Sequence, residues 1–352
     1  MQVETKQLVP GCILLHDVKG KSNQPIIPKN TVITEEHRII LDKFLINTVE
    51  VASKLVDGKR FGPEQDEAKE NKTSLEAHYR YVIKQYRELF DKWRNGANVD
   101  IIVVRELLLP LLERMDEIEK SVYKLHHYAN KEDYFYHHHI AVAMLSAYLG
   151  YKMDYAKGEW LQIGLGGFLS DSGMARIDQR IIQKQSKLTE KEMEEIKKHP
   201  MYSYRYVEKL PALKEEVKQA ILQHHERMDG SGYPLGLRKD KINRFARIIA
   251  VSDTYHAMTS ERLYQTKQSP FRVVEVLRKE QFSKLDPEVV HHFIKGLASF
   301  SIGTKVKLSN QQIGDIVFTD EQKPTRPMIR LDENKQIISL DNHPQLFIEE
   351  IL

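Results

Sequence analysis

From Asp133 to about Leu297 apolar residues recur at helical spacing almost without interruption, and this constrains the fold more than any other feature of the chain. The pattern rests on His138 to Leu149, Trp160 to Leu169, Val217 to Ile221, Ala246 to Ile249, Val273 to Leu277 and Val289 to Phe293. Thr189-Glu190-Lys191-Glu192 has the form of a capping box, so another helix opens there and carries Met193 and Ile196. Successive helices of this kind bury their stripes against one another. The spacing therefore predicts a central all-α bundle over residues 133–298, with any polar site built inside it by facing helices.

The flanking sequence reads differently. Residues 1–56 mix β-like runs (Cys12-Ile13-Leu14, Pro25-Ile26-Ile27, Val49-Glu50-Val51) with one helix opened by Thr34 and carrying Ile40, Leu41, Phe44 and Leu45, as in a small α+β module. Residues 57–73 are polar and broken by Gly58, Gly62 and Pro63, the composition of a linker. Residues 74–132 form a helical connector in this reading. Its first helix carries Leu75, Tyr79, Val82, Tyr86, Leu89 and Trp93 on one stripe, and its second, from about Val99 to Tyr128, is expected to kink at Pro110. Such a stripe covers a neighbouring domain or, less commonly, makes a homodimer. After Gly296 four β-like runs (305–308, 314–318, 328–331 and 337–340) predict a small β module over residues 299–352, a barrel or a meander. The expected molecule is multi-domain and mainly α.

Composition excludes several classes. The single cysteine, Cys12, rules out an internal disulfide framework and fits a reducing cytoplasm. The first residues lack the apolar core of a signal peptide, and apolar runs such as Ile101-Ile102-Val103-Val104 meet charge within one turn, so no membrane span is expected. Net charge is +3, with lysines alternating with glutamates, so a nucleic-acid polymer is not an expected partner. A cytoplasmic location follows as the expectation.

One stretch, His224-His225-Glu226-Arg227-Met228-Asp229-Gly230-Ser231-Gly232-Tyr233-Pro234, holds two imidazoles, two carboxylates and a glycine-rich turn. Neighbouring histidines on a helix point about 100° apart, so both reach one metal centre only from a wide site or near a helix end, where Asp229 and Gly230 put them. A histidine pair there also complements the negative end of the helix dipole without any metal. Further ligand-type residues are His138, Asp171, His199 and Asp253. Imidazole with carboxylate suits Mn, Fe, Zn, Co or Ni, and a carboxylate between two ions can bridge them. Scattered over a helical domain, such groups are also met as unrelated surface residues.

His224-His225-Glu226-x-x-Asp229-Gly230-x-Gly232-Tyr233-Pro234, followed by Ala250-Val251-Ser252-Asp253 and Thr259-Ser260-x-Arg262-x-Tyr264, resembles the HD-GYP family of metal-dependent phosphodiesterases. The resemblance covers about residues 133–297. It implies a helical bundle holding two or three metal ions, Fe or Mn by preference, that opens cyclic di-GMP or a related cyclic nucleotide. Asp133-Tyr134-x-x-x-His138-x-x-x-Val142 matches the family's first histidine helix, making His138, and not His137 or His139, the implied ligand. Leu188-Thr189-x-x-Glu192 leading to His199-Pro200 matches the segment that supplies another. By family role one metal position takes His138, Asp253, the bridging Asp171 and a dyad histidine; the other takes Asp171, His199, His224 and His225. Arg262 and Tyr264 are implied for substrate. Gly232, Tyr233 and Pro234 are expected as a turn and a partner-contact surface, whichever function holds.

The departures weigh on function. Where the family carries its His-Asp dyad followed by Gly-Lys, this chain has Ser170-Asp171-Ser172-Gly173-Met174. A serine hydroxyl is a poor ligand for a divalent ion, and methionine offers neither cation nor proton. Gln265 stands where the family places a basic residue, and Tyr134 where three-metal members carry glutamate, so at most two ions are expected. His256, one turn after Asp253, is an ordinary polar residue of its helix or a stand-in for the lost ligand, the first being the commoner case. Two functions stay open: a degenerate relative acting as a metal- or nucleotide-binding sensor or partner-binding module, and a weak phosphodiesterase using a metal-bound hydroxide. Losses that converge on one site favour the first.

Overall fold

A computed structural model describes residues 2–5, 8–19, 25–44, 46–52, 54–58, 74–128, 133–184, 186–260, 268–280, 283–297, 302–320 and 323–352. Contacts divide the chain into two compact units, Met1–Tyr81 and Val82–Leu352.

In the first unit, β1 (Gln2–Glu4) pairs antiparallel with β4 (Thr48–Glu50), and β2 (Val18–Lys19) with β3 (Pro25–Ile27). Between β3 and β4, α1 (Glu35–Lys43) is opened by Thr34, whose hydroxyl takes the His37 N–H while the His37 ring reaches back to the Thr34 backbone. Cys12, Leu14, Ile27, Ile33, Leu41 and Val51 fill the core of this α+β unit. Leu45, expected in the helix, lies outside the described residues, as does most of the expected linker.

In the long amphipathic helix α2 (Leu75–Arg94) the stripe residues Leu75, Tyr79, Val82, Tyr86, Leu89 and Trp93 are all buried. The second connector helix is not one kinked rod. It is α3 (Ile101–Leu112), α4 (Met115–Ser121) and a 3₁₀ turn over Val122–His127. Pro110 lies in the last turn of α3, where it has no N–H to give to the preceding turn, and the helix stops two residues later.

The bundle follows as α5 (Tyr134–Lys152), α6 (Lys157–Leu169), α7 (Gln179–Ile182), α8 (Glu190–Ile196), α9 (His199–Val207), α10 (Glu215–Gln223), α11 (Arg244–Thr259), α12 (Pro270–Glu280) and α13 (Pro287–Leu297). α5 is apolar on nearly every face and is buried without a break from His137 to Gly150. Its closest neighbour is α6, which can approach because Gly164 and Gly167 carry no side chain; a Cβ at Gly167 would meet Ser146 Oγ at 2.9 Å and Val142 O at 3.0 Å. Thr189 and Glu192 close the expected capping box on α8. Among the described residues no helix is long and apolar enough to cross a membrane.

The C-terminal sheet corrects one expectation. Its strands β5 (Lys305–Leu308), β6 (Ile313–Phe318), β7 (Met328–Leu331), β8 (Ile337–Ser339) and β9 (Ile348–Ile351) pair antiparallel in the order β8-β7-β6-β5-β9. The sheet is open, so it is not a barrel: β8 and β9 are its two edges. Its alternating inner residues Val306, Leu308, Ile316, Ile329 and Leu331 are covered by Phe271 of α12 in place of a second wall of strands. Arg326 fixes the sheet to α12 by a two-pronged pair with Glu275, at 2.6 and 2.7 Å.

Candidate metal centre

Separate helices deliver the six ligand-type side chains to one place. His138 stands in the second turn of α5, and Asp171 follows α6 at the entrance to a 3₁₀ turn over Ser172–Arg176. His199 is the first residue of α9, His224 and His225 follow the end of α10, and Asp253 lies within α11. A hydrogen-bonded clasp holds the Asp171 turn against α9: the Gly173 N–H donates to Ser203 Oγ at 2.7 Å, and that hydroxyl donates to Ser170 O at 2.6 Å. Only glycine permits this approach, because a Cβ at Gly173 would sit 2.2 Å from His199 O.

The donors fall into two groups that share Asp171. In one, donor atoms of Asp171, His199, His224 and His225 all lie within 4.8 Å of one another; in the other, those of His138, Asp171 and Asp253 do. His199 Nδ1 is 2.7 Å from Ile196 O and His224 Nδ1 is 2.8 Å from Ile221 O. A carbonyl only accepts, so Nδ1 carries the proton in both rings and each Nε2 presents a lone pair. These two Nε2 atoms are 3.2 Å apart and stand 2.9 and 3.4 Å from Asp171 Oδ1. Acceptors converging in this way repel unless a cation lies among them, and three imidazoles with a carboxylate suit a divalent transition ion. The residues therefore fit the metal that the resemblance implies.

In the second group His138 Nε2 lies 3.0 Å from Asp253 Oδ1 and 3.5 Å from Asp171 Oδ2. Burial alone would lower the His138 pKa, but the two carboxylates outweigh it and hold the group above its ordinary value. For Asp171 and Asp253 burial likewise works against the charge, and hydrogen bonding to the imidazoles wins, leaving both below the usual carboxylate range. His225 goes the other way, pushed well below its ordinary value by burial and then by His224.

The departures have definite positions. The Ser170 hydroxyl is buried and donates to Gly167 O at 2.8 Å, back into the last turn of α6 and not to the ligand cluster. Met174 is half-buried in the 3₁₀ turn. His256 is buried, with Nδ1 3.0 Å from His138 Nδ1, while Tyr134 Oη lies 3.2 Å from that same Nδ1. His256 thus backs His138 on the ring edge opposite the carboxylates. It is buried beside His138 rather than among the donor atoms that surround Asp171. Arg262, Tyr264 and Gln265 lie outside the described residues.

The Gly-Tyr-Pro turn is built on the histidine pair. Tyr233 lies on His225, ring centroids 4.7 Å apart, and its N–H donates to His225 O at 3.2 Å. Gly232 touches the preceding chain so closely that a Cβ would be 2.4 Å from Arg227 N. The turn is held from below by Glu226, a buried carboxylate that accepts from Leu235 N at 2.7 Å and Leu237 N at 2.9 Å. Pro234 and Leu235 are exposed at its tip. In the sequence Glu226 is one carboxylate among others with no mark of this role, and nothing singles out Tyr86 or His139, which stand behind Asp171. The Tyr86 hydroxyl is hydrogen-bonded to His139 Nδ1, and His139 Nε2 lies 3.8 Å from Asp171 Oδ2. Their only signal was an aromatic stripe and a run of three histidines.

Residues 114–289, half of the chain, match the HD domain family. The chain is 29% identical over 259 residues to the cyclic di-GMP phosphodiesterase PA4108 of Pseudomonas aeruginosa, covering 71% of this chain and 59% of that protein. It is 28% identical over 215 residues to the cyclic di-GMP phosphodiesterase PdeB of Borreliella burgdorferi, covering 61% of this chain and 56% of the relative. It thus spans less than two thirds of the length of these relatives. Among solved structures it is similar to Bd1817, an HDGYP-type protein of Bdellovibrio bacteriovorus, at 14% identity and a TM-score of 0.45, covering 83% of this chain and 97% of that one. The family match and the motif pattern make the chain a member of the HD domain family, of the HD-GYP type.

Proposed function

We propose that the chain is an HD-GYP-type module of cyclic di-GMP signalling that holds one divalent ion firmly and a second weakly, and that works as a metal- or nucleotide-binding sensor or partner-binding module. The observation that carries this reading is the Ser170 hydroxyl, bonded to Gly167 O and turned from the cluster. The second position is left with His138, Asp171 and Asp253, while the first keeps three imidazoles and a carboxylate. The names of the relatives support a cyclic dinucleotide as the ligand. Iron or manganese is the proposed metal, since both accept mixed imidazole and carboxylate sets. The exposed Pro234 and Leu235 at the tip of the turn are the proposed surface for a protein partner.

A weakly active phosphodiesterase is the second reading, favoured by the His138–Asp253 contact at 3.0 Å, which keeps the damaged position assembled. When bound, divalent ions supply Lewis acidity at the phosphodiester and an activated water. The chain's own part is to offer Asp171 to both donor groups and to orient His138 through His256 and Tyr134. Met174 brings no proton to the leaving oxygen.

Metal content of the purified protein, with hydrolysis of cyclic di-GMP under Mn and under Fe, separates the two. The sensor reading expects about one ion per chain, no turnover, and nucleotide or partner binding. Turnover that Asp171→Ala abolishes establishes the enzyme instead.

A further inference from the structure

Tyr86 of α2 and His139 of α5 are fully buried and carry none of the roles given so far. The His139 ring is enclosed by aromatic side chains, with Phe135 at 4.4 Å, Tyr86 at 5.4 Å and Phe90 at 6.1 Å between centroids. Within this apolar wall its Nδ1 meets the Tyr86 hydroxyl. Its Nε2 has no hydrogen-bond partner among the described residues and faces Asp171 Oδ2 at 3.8 Å. We infer that Tyr86 and His139 form a buried chain that positions the Asp171 carboxylate for metal binding, with His139 a positioning residue acting through Asp171. The inference rests on the reading of Asp171 as the shared ligand.

Hydrogen-bond accounting selects the direction of the chain. If His139 Nδ1 carried the proton, the Tyr86 proton would be stranded, and the Nε2 lone pair would face a carboxylate. With the Tyr86 O–H donating to the Nδ1 lone pair, the ring proton sits on Nε2 and points at Asp171, and each group in the line faces one of opposite character. Both groups stay neutral in this surrounding: burial pushes the Tyr86 phenol well above its ordinary value and His139 down to about 3. The Nε2–Asp171 gap closes to hydrogen-bond length with a carboxylate shift of about 1 Å. Outer hydrogen bonds of this kind typically change metal affinity about 10- to 100-fold when removed.

Mn(II) affinity and stoichiometry, measured by calorimetric titration on the full chain, test the inference, with thermal unfolding in chelator as a control for folding. Tyr86→Phe should weaken Mn(II) about 10-fold with stoichiometry unchanged, and His139→Ala by about 10- to 100-fold. His139→Gln, whose amide N–H can replace Nε2–H, should recover affinity to within about 3-fold of wild type, which a packing role alone does not predict. Tyr86→Phe should add nothing in a His139→Ala background. Unchanged affinity in Tyr86→Phe and His139→Ala, or failure of Gln to rescue, overturns the chain while leaving the metal site standing. A stoichiometry that falls in His139→Gln makes His139 a ligand and overturns it too. Wild-type protein that binds no Mn(II), or an Asp171→Ala protein that binds it equally well, overturns the site itself.

Discussion

The two candidate metal positions share Asp171 but are held by different means. At the three-histidine position, His199 and His224 tie their Nδ1 atoms to the carbonyls of Ile196 and Ile221, three residues back in the chain. At the other, His138 turns its Nδ1 to the side chains of His256 and Tyr134. Ligands locked by backbone are set by local structure alone; ligands locked by side chains depend on distant residues staying in register. The group with side-chain support is the one where, in the proposed reading, Ser170 replaces a ligand, while the other brings together three imidazoles and a carboxylate.

The sharpest way to break this comparison is to remove one ligand from each side. His199→Ala should weaken the first equivalent of Mn(II) by about 100-fold or more, whereas His138→Ala should leave that equivalent nearly intact and remove the second. Equal losses in calorimetric titration would mean the positions are not distinct.

Rebuilding the poorer position tests it from the other direction. Ser170→His with Met174→Lys should raise occupancy of the second ion and bring cyclic di-GMP hydrolysis about 10²-fold above wild type. If wild-type turnover is already present and the double substitution does not improve it, Ser170 and Met174 are not what limits the site.

Acidity should separate the positions more gently. Metal must displace the His138 proton, which its carboxylates hold above the ordinary value, whereas His225 is held below it. As pH falls the second equivalent should therefore weaken first, by about tenfold per pH unit once His138 is protonated. In metal-free protein the sign reverses for stability. The raised His138 contributes fully below about pH 6.5 and loses its contribution as pH rises through its folded value, while Asp171 and Asp253 contribute above about pH 3.9 and lose theirs in acid. The depressed His225 and His139 act in the opposite sense below about pH 6.5, so the His138 share is read as a difference: a pH profile of unfolding temperature in chelator-treated protein that His138→Ala leaves unchanged would contradict the assignment.

The smallest effect concerns how far the backbone tie of His199 depends on its helix. Lys184 and the Thr189 N–H hold Glu192 down to about 2, so its support of α8 is present above its ordinary titration range and lost as pH falls through about 2. Glu192→Gln should speed amide exchange in residues 190–196 and weaken Mn(II) by roughly 2-fold, through the Ile196 carbonyl. Unchanged exchange would show that packing, not the cap, holds α8.

What could be seen in the sequence followed the range of the interaction. Thr34 and Thr189 announced their helices because a cap is settled within four residues, and the histidine pair at the end of α10 was legible from Asp229 and Gly230 for the same reason. The apolar periodicity of α5 and α6 gave the bundle, but not that Gly167 lets them close. Tyr86 looked like one more core residue on a stripe, since only the packing of α2 against α5 brings its hydroxyl to His139, fifty-three positions away. The last strand, Ile348–Ile351, reads Ile-Glu-Glu-Ile without alternation and owes its place to pairing with β5. Whether the sheet closed was likewise undecided locally, because Phe271, which covers its inner face, belongs to another element.

Sharing one carboxylate between two positions also fixes the electrostatic character of the whole cluster. With the histidines neutral, as ligation requires, its negative charge comes from Asp171 and Asp253. Where His138 is also neutral, a single divalent ion would cancel that pair and leave the cluster without net charge, and a second ion would turn it positive. In the proposed reading, occupancy of the weaker position would set the sign of the field that an incoming phosphodiester meets, and the ion count would decide between indifference and attraction.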